Sequence, residues 1–554
     1  MIYNDFDLKR DDSDAESRWG GQARPAASAT VASGPGNTLS TASPVADLQR
    51  DLRTLGFLLA PEPDGQFKLT TECAVREFQI YAKMERVARE YTTSTASAYA
   101  DRLSQVATGA HRYAGPVSGV VNAETRAALE HWLKESWRCP VVIEAWTKKS
   151  PPTRAIENLW RHEEGAGKYV IKARDLTDYY QAQAPADLWV VGESTSYKAG
   201  KVVRRGPVST SEHAWQDVEV LPETLVGAAW SALSAAQRST FKVVRAVAEV
   251  ECYAFFDVVN SYDVAIVSTG IFHFTFQNGR GELCGLLEDL AAHHPGDYGR
   301  AISFFGMDVQ GTGAGAQRSP PHVKLQNDSG GYEPVTKEPD INYIRNWHWF
   351  YRYVMMGRTV ESYRRRMWHA ALRRIQKLRS LTFDQGDVTA VGTTPRGQPI
   401  LATIGDVFTS ELAVGYLLRW HVNRPADIAG GRSAGPSAVA ALAHAKQHQP
   451  SLDWTLPPTQ WTQAHEDALL AGIEGIDKPN PELTNSMPRI ATPAVNSRWR
   501  MDRKVIGQLS RVRGSFQLAS AAAPVTPPQP PAPAPPPQPP GSQQPPVGPG
   551  PAGP

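Results

Sequence analysis

Cysteine is scarce in this chain of 554 residues: there are four, Cys73, Cys139, Cys252 and Cys284. None belongs to a C-x-x-C pair, so a disulfide framework and a structural zinc site are both unsupported, and the four read as reduced, mostly buried thiols. An excess of one charge is also lacking, since 58 basic and 56 acidic side chains leave a formal net charge of +2. A dedicated nucleic-acid binder concentrates basic charge strongly, so no nucleic-acid partner is expected. No run approaches the roughly 20 apolar residues of a membrane-spanning helix. The first residues, MIYNDFDLKRDDSDAESRWGG, lack the basic start and apolar core of a secretory signal, which predicts synthesis in the cytoplasm without a signal peptide. Gly165-Ala166-Gly167 is no phosphate loop, and His293-His294 and His348 do not supply H-E-x-x-H spacing, so neither metal nor cofactor is expected. What the chain does have is length for about two to four domains and an apolar content of 41%, enough for real cores.

Residues 1–43 are rich in Ser, Ala, Gly, Thr and Asp and cannot offset the entropy of ordering, so they are expected to be disordered. Residues 491–554 are basic, then from residue 524 dominated by proline, as an extended polyproline-type tail would be. That tail is either a solvated extension or a docking ligand for a partner domain.

Between the tails, Val45 to Gln79 reads VADLQRDLRTLGFLLAPEPDGQFKLTTECAVREFQ. Leu48, Leu52 and Leu55 recur at helical spacing and Gly56 stops that helix. Asp64-Gly65 makes a turn, Thr70 or Thr71 caps a second helix, and Ala74, Val75 and Phe78 form its apolar face. The order L-x3-L-x2-L-G-F, D-G-x-F, T-x2-A-V-x2-F-Q resembles the small three-helix peptidoglycan-binding domain of bacterial and phage wall hydrolases. It departs from that pattern at Lys68, where a glycine is usual, and in a long insertion over residues 81–112 that reads as helical. GPVSGVVNAETRAALEHWL then looks like the module's further Thr-capped helix. The resemblance covers residues 44–135 and implies peptidoglycan as a partner.

Residues 136–221 hold alternating β-branched stretches (WVVGESTSY, KVVRRGPVST, DVEVL), the pattern of a β-containing spacer or insertion, with Lys201, Arg204 and Arg205 on a solvated strand edge or, alternatively, touching phosphate or carboxylate. Helical periodicity dominates residues 222–490. ETLVGAAWSALSAAQRSTFKVVRAVAEVECYAFF forms one long helix, GELCGLLEDLAAHHP a second closed by Pro295, and a Gly/Ser-rich loop spans 310–335. Trp- and Tyr-rich helices follow.

Chemistry concentrates at Glu249 to Thr275, EVECYAFFDVVNSYDVAIVSTGIFHFT. Acids among apolar and aromatic neighbours lose hydration, which raises their pKa. Glycoside hydrolysis requires one carboxyl kept protonated and a second group that steadies the cation or activates water. Glu249 and Glu251 lie two apart and so face different ways on a helix. Glu251, nearest the helix end, is the favoured general acid, with Glu249 the alternative. Asp263 is the second carboxylate, with Asp257 a turn-capping rival. Asn260, Tyr262, Ser268, Thr269 and Thr275 are candidate substrate contacts. His273, between two phenylalanines, is a packed histidine or lines a subsite.

A buried helix ending in Glu, a polar turn, and a Ser/Thr-Gly-aromatic segment resemble the lysozyme-like superfamily of phage lysozymes, lytic transglycosylases and chitosanases. The spacing from the glutamate to the next acid departs from the phage-lysozyme pattern, so the resemblance is to a divergent member. Its implication is a mainly α chain: a small three-helix wall-binding module, a β-containing insertion, and a larger lysozyme-like α-rich domain. The activity implied is that of a bacteriolytic, endolysin-like glycosidase, reaching the wall by release, injection or virion delivery. A lytic transglycosylase, or a non-catalytic wall-binding component of a phage tail or secretion apparatus, are the alternatives. An amidase using Cys252 or Cys284 would need an activating base that the apolar context of either does not provide.

Overall fold

The computed structural model describes residues 7–13, 44–57, 63–91, 99–147, 151–159 without 152, 169–180, 188–196, 202–205, 218–260 without 253, 265–277, 280–313, 317–336, 341–383 without 342, 402–430, 433–475 and 509–520. Helices dominate these residues, and short antiparallel sheets are set among them.

The segment that resembles a wall-binding module begins with α1 (Pro44–Thr54) and α2 (Leu69–Ala82). Leu48, Leu52, Leu55, Ala74, Val75 and Phe78 are all fully buried, as their spacing requires. Gly56 ends α1 at φ +88°, where a Cβ would crowd the Tyr99 hydroxyl and Cys139. The Asp64-Gly65 turn is pinned to α1 by one side chain. Gln49 donates to Asp64 Oδ1 at 2.8 Å and accepts from the Gly65 N–H at 3.0 Å. The expected threonine cap is not made. Lys68 stands at the N-cap of α2 without a side-chain bond, and Thr71 instead accepts from Gln49 inside the first turn.

The insertion expected to be helical is instead a hairpin, β1 (Arg86–Glu90) with β2 (Leu103–Ala107), and β3 (Trp137–Arg138) pairs on its other side. Val87 and Ala88 are both buried, so this central strand is covered on two faces and shows no clean alternation. In α3 (Ala123–Lys134) the cap is Asn122, whose Oδ1 accepts from the Thr125 N–H at 2.9 Å; Thr125 is not the cap.

Next comes a long antiparallel sheet of β4 (Val141–Thr147), β5 (Arg154–Ile156), β6 (Tyr169–Asp175), β7 (Leu188–Ser196), β8 (Val202–Arg205), β9 (Val259–Asn260), β10 (Val267–Thr269) and β11 (Phe274–Phe276), ordered β11-β10-β9-β8-β7-β6-β4-β5. Strand β8 pairs with β7 along its length and with β9 at Arg205, so Arg205 does not lie on a free edge; Lys201 lies outside the described residues.

After α4 (Pro222–Leu225) and α5 (Ala235–Cys252) come α6 (Glu282–His293) and α7 (Pro295–Ala301). Pro295 both closes α6 and starts α7 at its first turn, where proline costs no hydrogen bond. The expected loop over 310–335 contains strands: β12 (Met307–Asp308), β13 (Lys324–Gln326) and β14 (Tyr332–Pro334) form a small sheet. Then follow α8 (Trp347–Thr359), α9 (Glu361–Arg379), α10 (Ile404–Val407), α11 (Glu411–Asn423), α12 (Pro425–Ile428), α13 (Pro436–His448) and α14 (Gln463–Gly475). No described helix is long and apolar enough to cross a membrane. The four cysteines are free and buried.

One hydrophobic core runs from Leu48 and Phe78 in the wall-binding segment to Phe241, Trp347 and Leu417 in the helical body. The two parts are joined by buried polar contacts as well. Arg352 of α8 makes a two-pronged ion pair with Glu77 of α2, with Nη1 3.0 Å from Oε1 and Nη2 bonded to Oε2. Burial alone would raise the Glu77 carboxyl, but the Arg352 charge and its hydrogen bonds hold it below its ordinary value. Beside it the Tyr81 hydroxyl meets His348 Nδ1 at 2.8 Å.

Both ends of the chain differ from the expectation of disorder where they are described. Leu8 is fully buried and pairs with Val121. Residues 509–520 form an extended strap across α5 and α11. Thr240 donates to the Gln517 carbonyl and accepts from the Ala519 N–H, both at 2.8 Å. Glu411 accepts from the Ser510 N–H at 2.9 Å, and Arg513 pairs with Glu466 at 2.7 Å. Residues 14–43 and the proline-rich stretch from 524 lie outside the described residues.

Candidate functional site

Glu251 occupies the last turn of α5. The helix closes behind it through Ala254 in the left-handed region (φ +60°), whose N–H donates to the Ala248 carbonyl at 2.9 Å. Glycine is the usual choice at a left-handed position that ends a helix. The side chain is only 7% exposed. Its Oε1 accepts from Asn423 Nδ2 at 2.8 Å and faces Arg419 Nη1 at 2.5 Å. Arg419 and Asn423, one turn apart on α11, present one face to it. Burial pushes the Glu251 carboxyl above its usual range, against the pull of the Arg419 and Arg374 guanidiniums.

The β10–β11 hairpin brings the third neighbour. Its loop runs from Gly270 (φ +76°) to His273 (φ +49°), and the His273 N–H donates to the Gly270 carbonyl at 3.0 Å. A non-glycine residue in this region costs about 1–3 kcal/mol and persists only where its surroundings fix it. Here it places Nδ1 3.7 Å from Glu251 Oε2. Burial, with Arg419 adding to it, lowers the imidazole to about 4, so the ring is neutral near pH 7. Its Nε2 is buried with no hydrogen-bond partner among the described residues.

Behind this loop the sheet carries a polar row. Arg205 pairs with Asn260, Asn260 with Ser268, and Ser268 with Thr275. Directly opposed residues share a face of the sheet, so Ser268 and Thr275 project from the same side. Thr269, in register with Val259 and Phe274, takes the other face and is fully buried, with the Tyr363 hydroxyl against it. The structure thus brings Glu251 to the tip of the hairpin whose strands bear Ser268 and Thr275.

Glu249 points elsewhere. Its Oε2 accepts from Arg245 Nη1 at 2.6 Å, and Arg245 Nη2 donates to Glu219 at 2.9 Å, forming a buried Glu–Arg–Glu cluster separate from Glu251. Asp257 is fully buried against Arg358 Nε at 2.6 Å, and burial raises its carboxyl despite that cation; it serves α8 rather than capping a turn. Asp263 and Tyr262 lie outside the described residues, as does the side chain of Asn260. Burial pushes the Cys252 thiol up, and raises Cys284 to about 12, so neither is an activated nucleophile.

The residues missed by sequence reasoning are Arg419, Asn423 and Arg374. Arg374 donates from Nε to His421 Nδ1 at 3.0 Å and from Nη2 to Glu282 at 2.6 Å, linking α9, α11 and α6 around the site. Nothing local marks them, since Asn423 and Glu251 stand 172 residues apart.

Comparison with known proteins gives one match. Residues 41–86 match the family described as "Putative peptidoglycan binding domain". The chain therefore carries a peptidoglycan-binding domain there, which supports the bacterial cell wall as its partner. No curated protein and no solved structure matches the chain.

Proposed function

We propose that this protein is a peptidoglycan glycan-strand hydrolase, muramidase-like, which binds the cell wall through its N-terminal domain and cleaves glycosidic bonds with Glu251 as general acid. One observation carries the reading: a carboxyl at the end of a buried helix, its pKa raised by burial, stands 3.7 Å from His273 at the tip of a β-hairpin whose strands bear Ser268 and Thr275. Burial favours the protonated form of Glu251, and that proton passes from Oε to the leaving glycosidic oxygen as the C–O bond breaks. Arg419 then steadies the carboxylate that forms. Neutral His273 offers its unpartnered Nε2 to a water or a sugar hydroxyl. Asp263 is the proposed second carboxylate; a site without one would favour the transglycosylase route, in which the sugar's own hydroxyl closes the ring.

A second reading is favoured by the same ion pair. A glutamate 2.5 Å from a guanidinium and nearly closed to solvent can be a structural pair, and the protein would then bind wall without cutting it. Incubation with purified sacculi separates the three. Clearing with new reducing ends supports the hydrolase, clearing with anhydro-sugar ends the transglycosylase, and sedimentation with intact sacculi the binding component.

A further inference from the structure

Away from Glu251, a cleft of about 380 Å³ opens where three stretches of chain meet: the N-terminal segment at Lys9 and Arg10, the wall-binding domain at Glu72, Arg76 and Gly119, and the β13–β14 hairpin at Asp328 and Glu333. That volume falls within the range of small-ligand sites. Its walls are built rather than incidental. Arg76 is anchored by Glu72 at 3.0 Å and by the Val117 and Gln326 carbonyls at 2.7 and 2.8 Å, and the Val117 N–H donates to Gln326 Oε1 at 2.8 Å. Arg10 also pairs with Glu72. Gly119 (φ +78°) lies so close beneath that a Cβ would stand 2.5 Å from Glu72 Cγ.

The charges are sorted across the cleft. Lys9, Arg10 and Arg76 stand on the side of the wall-binding domain, with Glu72 neutralising part of that charge, and Asp328 and Glu333 stand on the hairpin. Among the described residues no aromatic ring lines it, whereas apolar and aromatic side chains predominate in the lining of most ligand sites. We infer that this cleft seats the peptide stem of peptidoglycan, with a stem carboxylate toward Lys9 and Arg10 and the free ammonium of a diamino acid toward Asp328 and Glu333. The inference rests on the wall-binding reading and goes beyond it by naming the recognised chemistry and by making the hairpin a partner in recognition. Neither half forms the site alone, because the anionic wall comes from outside the matched domain.

The test uses the full-length protein and a soluble N-acetylmuramyl tripeptide ending in meso-diaminopimelate, with binding measured by calorimetry. Lys9, Asp328 and Glu333 are all exposed, so Lys9→Gln and the pair Asp328→Asn/Glu333→Gln change charge without emptying the core. Each should weaken binding by about tenfold or more, the scale of one lost charge-assisted bond. Acetylating the probe's side-chain amine should weaken binding to the native protein but change little for the Asp328→Asn/Glu333→Gln variant. Unchanged affinity in both variants, or no binding of the tripeptide by a protein that still sediments with sacculi, would overturn the cleft assignment. A protein that fails to sediment with sacculi at all would instead overturn the wall-binding reading beneath it.

Discussion

Removing the negative charge of Glu77 asks whether the wall-binding domain is a separate bead or part of one body. Glu77 is 0% and Arg352 2% exposed, so neither charge reaches water. Glu77→Gln keeps the volume of the site but leaves the guanidinium without its counter-charge. Truncating one partner of such a pair costs about 3–5 kcal/mol. The rings of Phe305, Trp349 and Tyr81, at 4.7, 4.9 and 5.4 Å from the guanidinium carbon, offset part of that, which places the expected loss near 3 kcal/mol. Arg352→Met should cost a similar amount, and less at low pH, because the stranded carboxylate can take up a proton. The double change Glu77→Leu/Arg352→Met replaces the pair with apolar groups and should recover most of the loss, giving a large coupling energy in the cycle. Urea unfolding followed by tryptophan fluorescence reads both parts at once, since Trp132 and Trp347 are buried on either side of the junction. One transition with a shifted midpoint is expected. Single variants within about 0.5 kcal/mol of the parent, the scale of a surface change, or an early transition confined to the N-terminal part, would refute the single-body argument.

Glu251→Gln should lower the release of reducing ends from sacculi by about 10²–10⁴ with sedimentation unchanged; Glu249→Gln should instead leave release unchanged and cost about 1–3 kcal/mol of stability by weakening one of the two carboxylate contacts of buried Arg245, which keeps Glu219, and reversed outcomes would mean the acid is on the other helix face. His273, His348 and His421 are each lowered by burial to about 4. The unfolded chain therefore binds protons that the folded one refuses between about pH 4 and 6.5, and stability, full above 6.5, should fall by up to about 3 kcal/mol per histidine as pH drops through that window. Thermal melts across this range check it, and His348→Asn should flatten the slope. Thr240→Ala removes two strap hydrogen bonds and should cost about 1–3 kcal/mol. Ending the chain after residue 508, which removes the strap, should lower the melting temperature.

The parts of the fold legible in the sequence are those whose signal is local. Leu48, Leu52 and Leu55 sit on one helical face and Gly56 supplies the only conformation that ends it there, so α1 and the wall-binding match follow from adjacent residues. The helix carrying Glu251 in its last turn, and the opposed facing of Glu249, follow from helical periodicity, although the stretch expected as one long helix is broken into Pro222–Leu225 and Ala235–Cys252. The hairpin over 86–107 was hidden because a strand paired on both sides buries neighbours on both faces, and its Arg, Ala and Glu also suit a helix. The strap was hidden for a different reason. Its residues are held by backbone hydrogen bonds to Thr240, Ser239 and Glu411, and such bonds leave no hydrophobic period to read. The surroundings of Glu251 depend on α11, brought there only by tertiary packing.

The strap also imposes an order in time. Ala519 meets Thr240 across 279 residues of chain, and at about 5–20 residues per second of synthesis that stretch takes about 14–56 s to make. Throughout that interval the helix bearing Glu251 waits without one of its covers. Completion of the helix's cover thus waits on the synthesis of residues 509–520, and a message broken anywhere before codon 509 yields a protein that can acquire its N-terminal domain but never this closure.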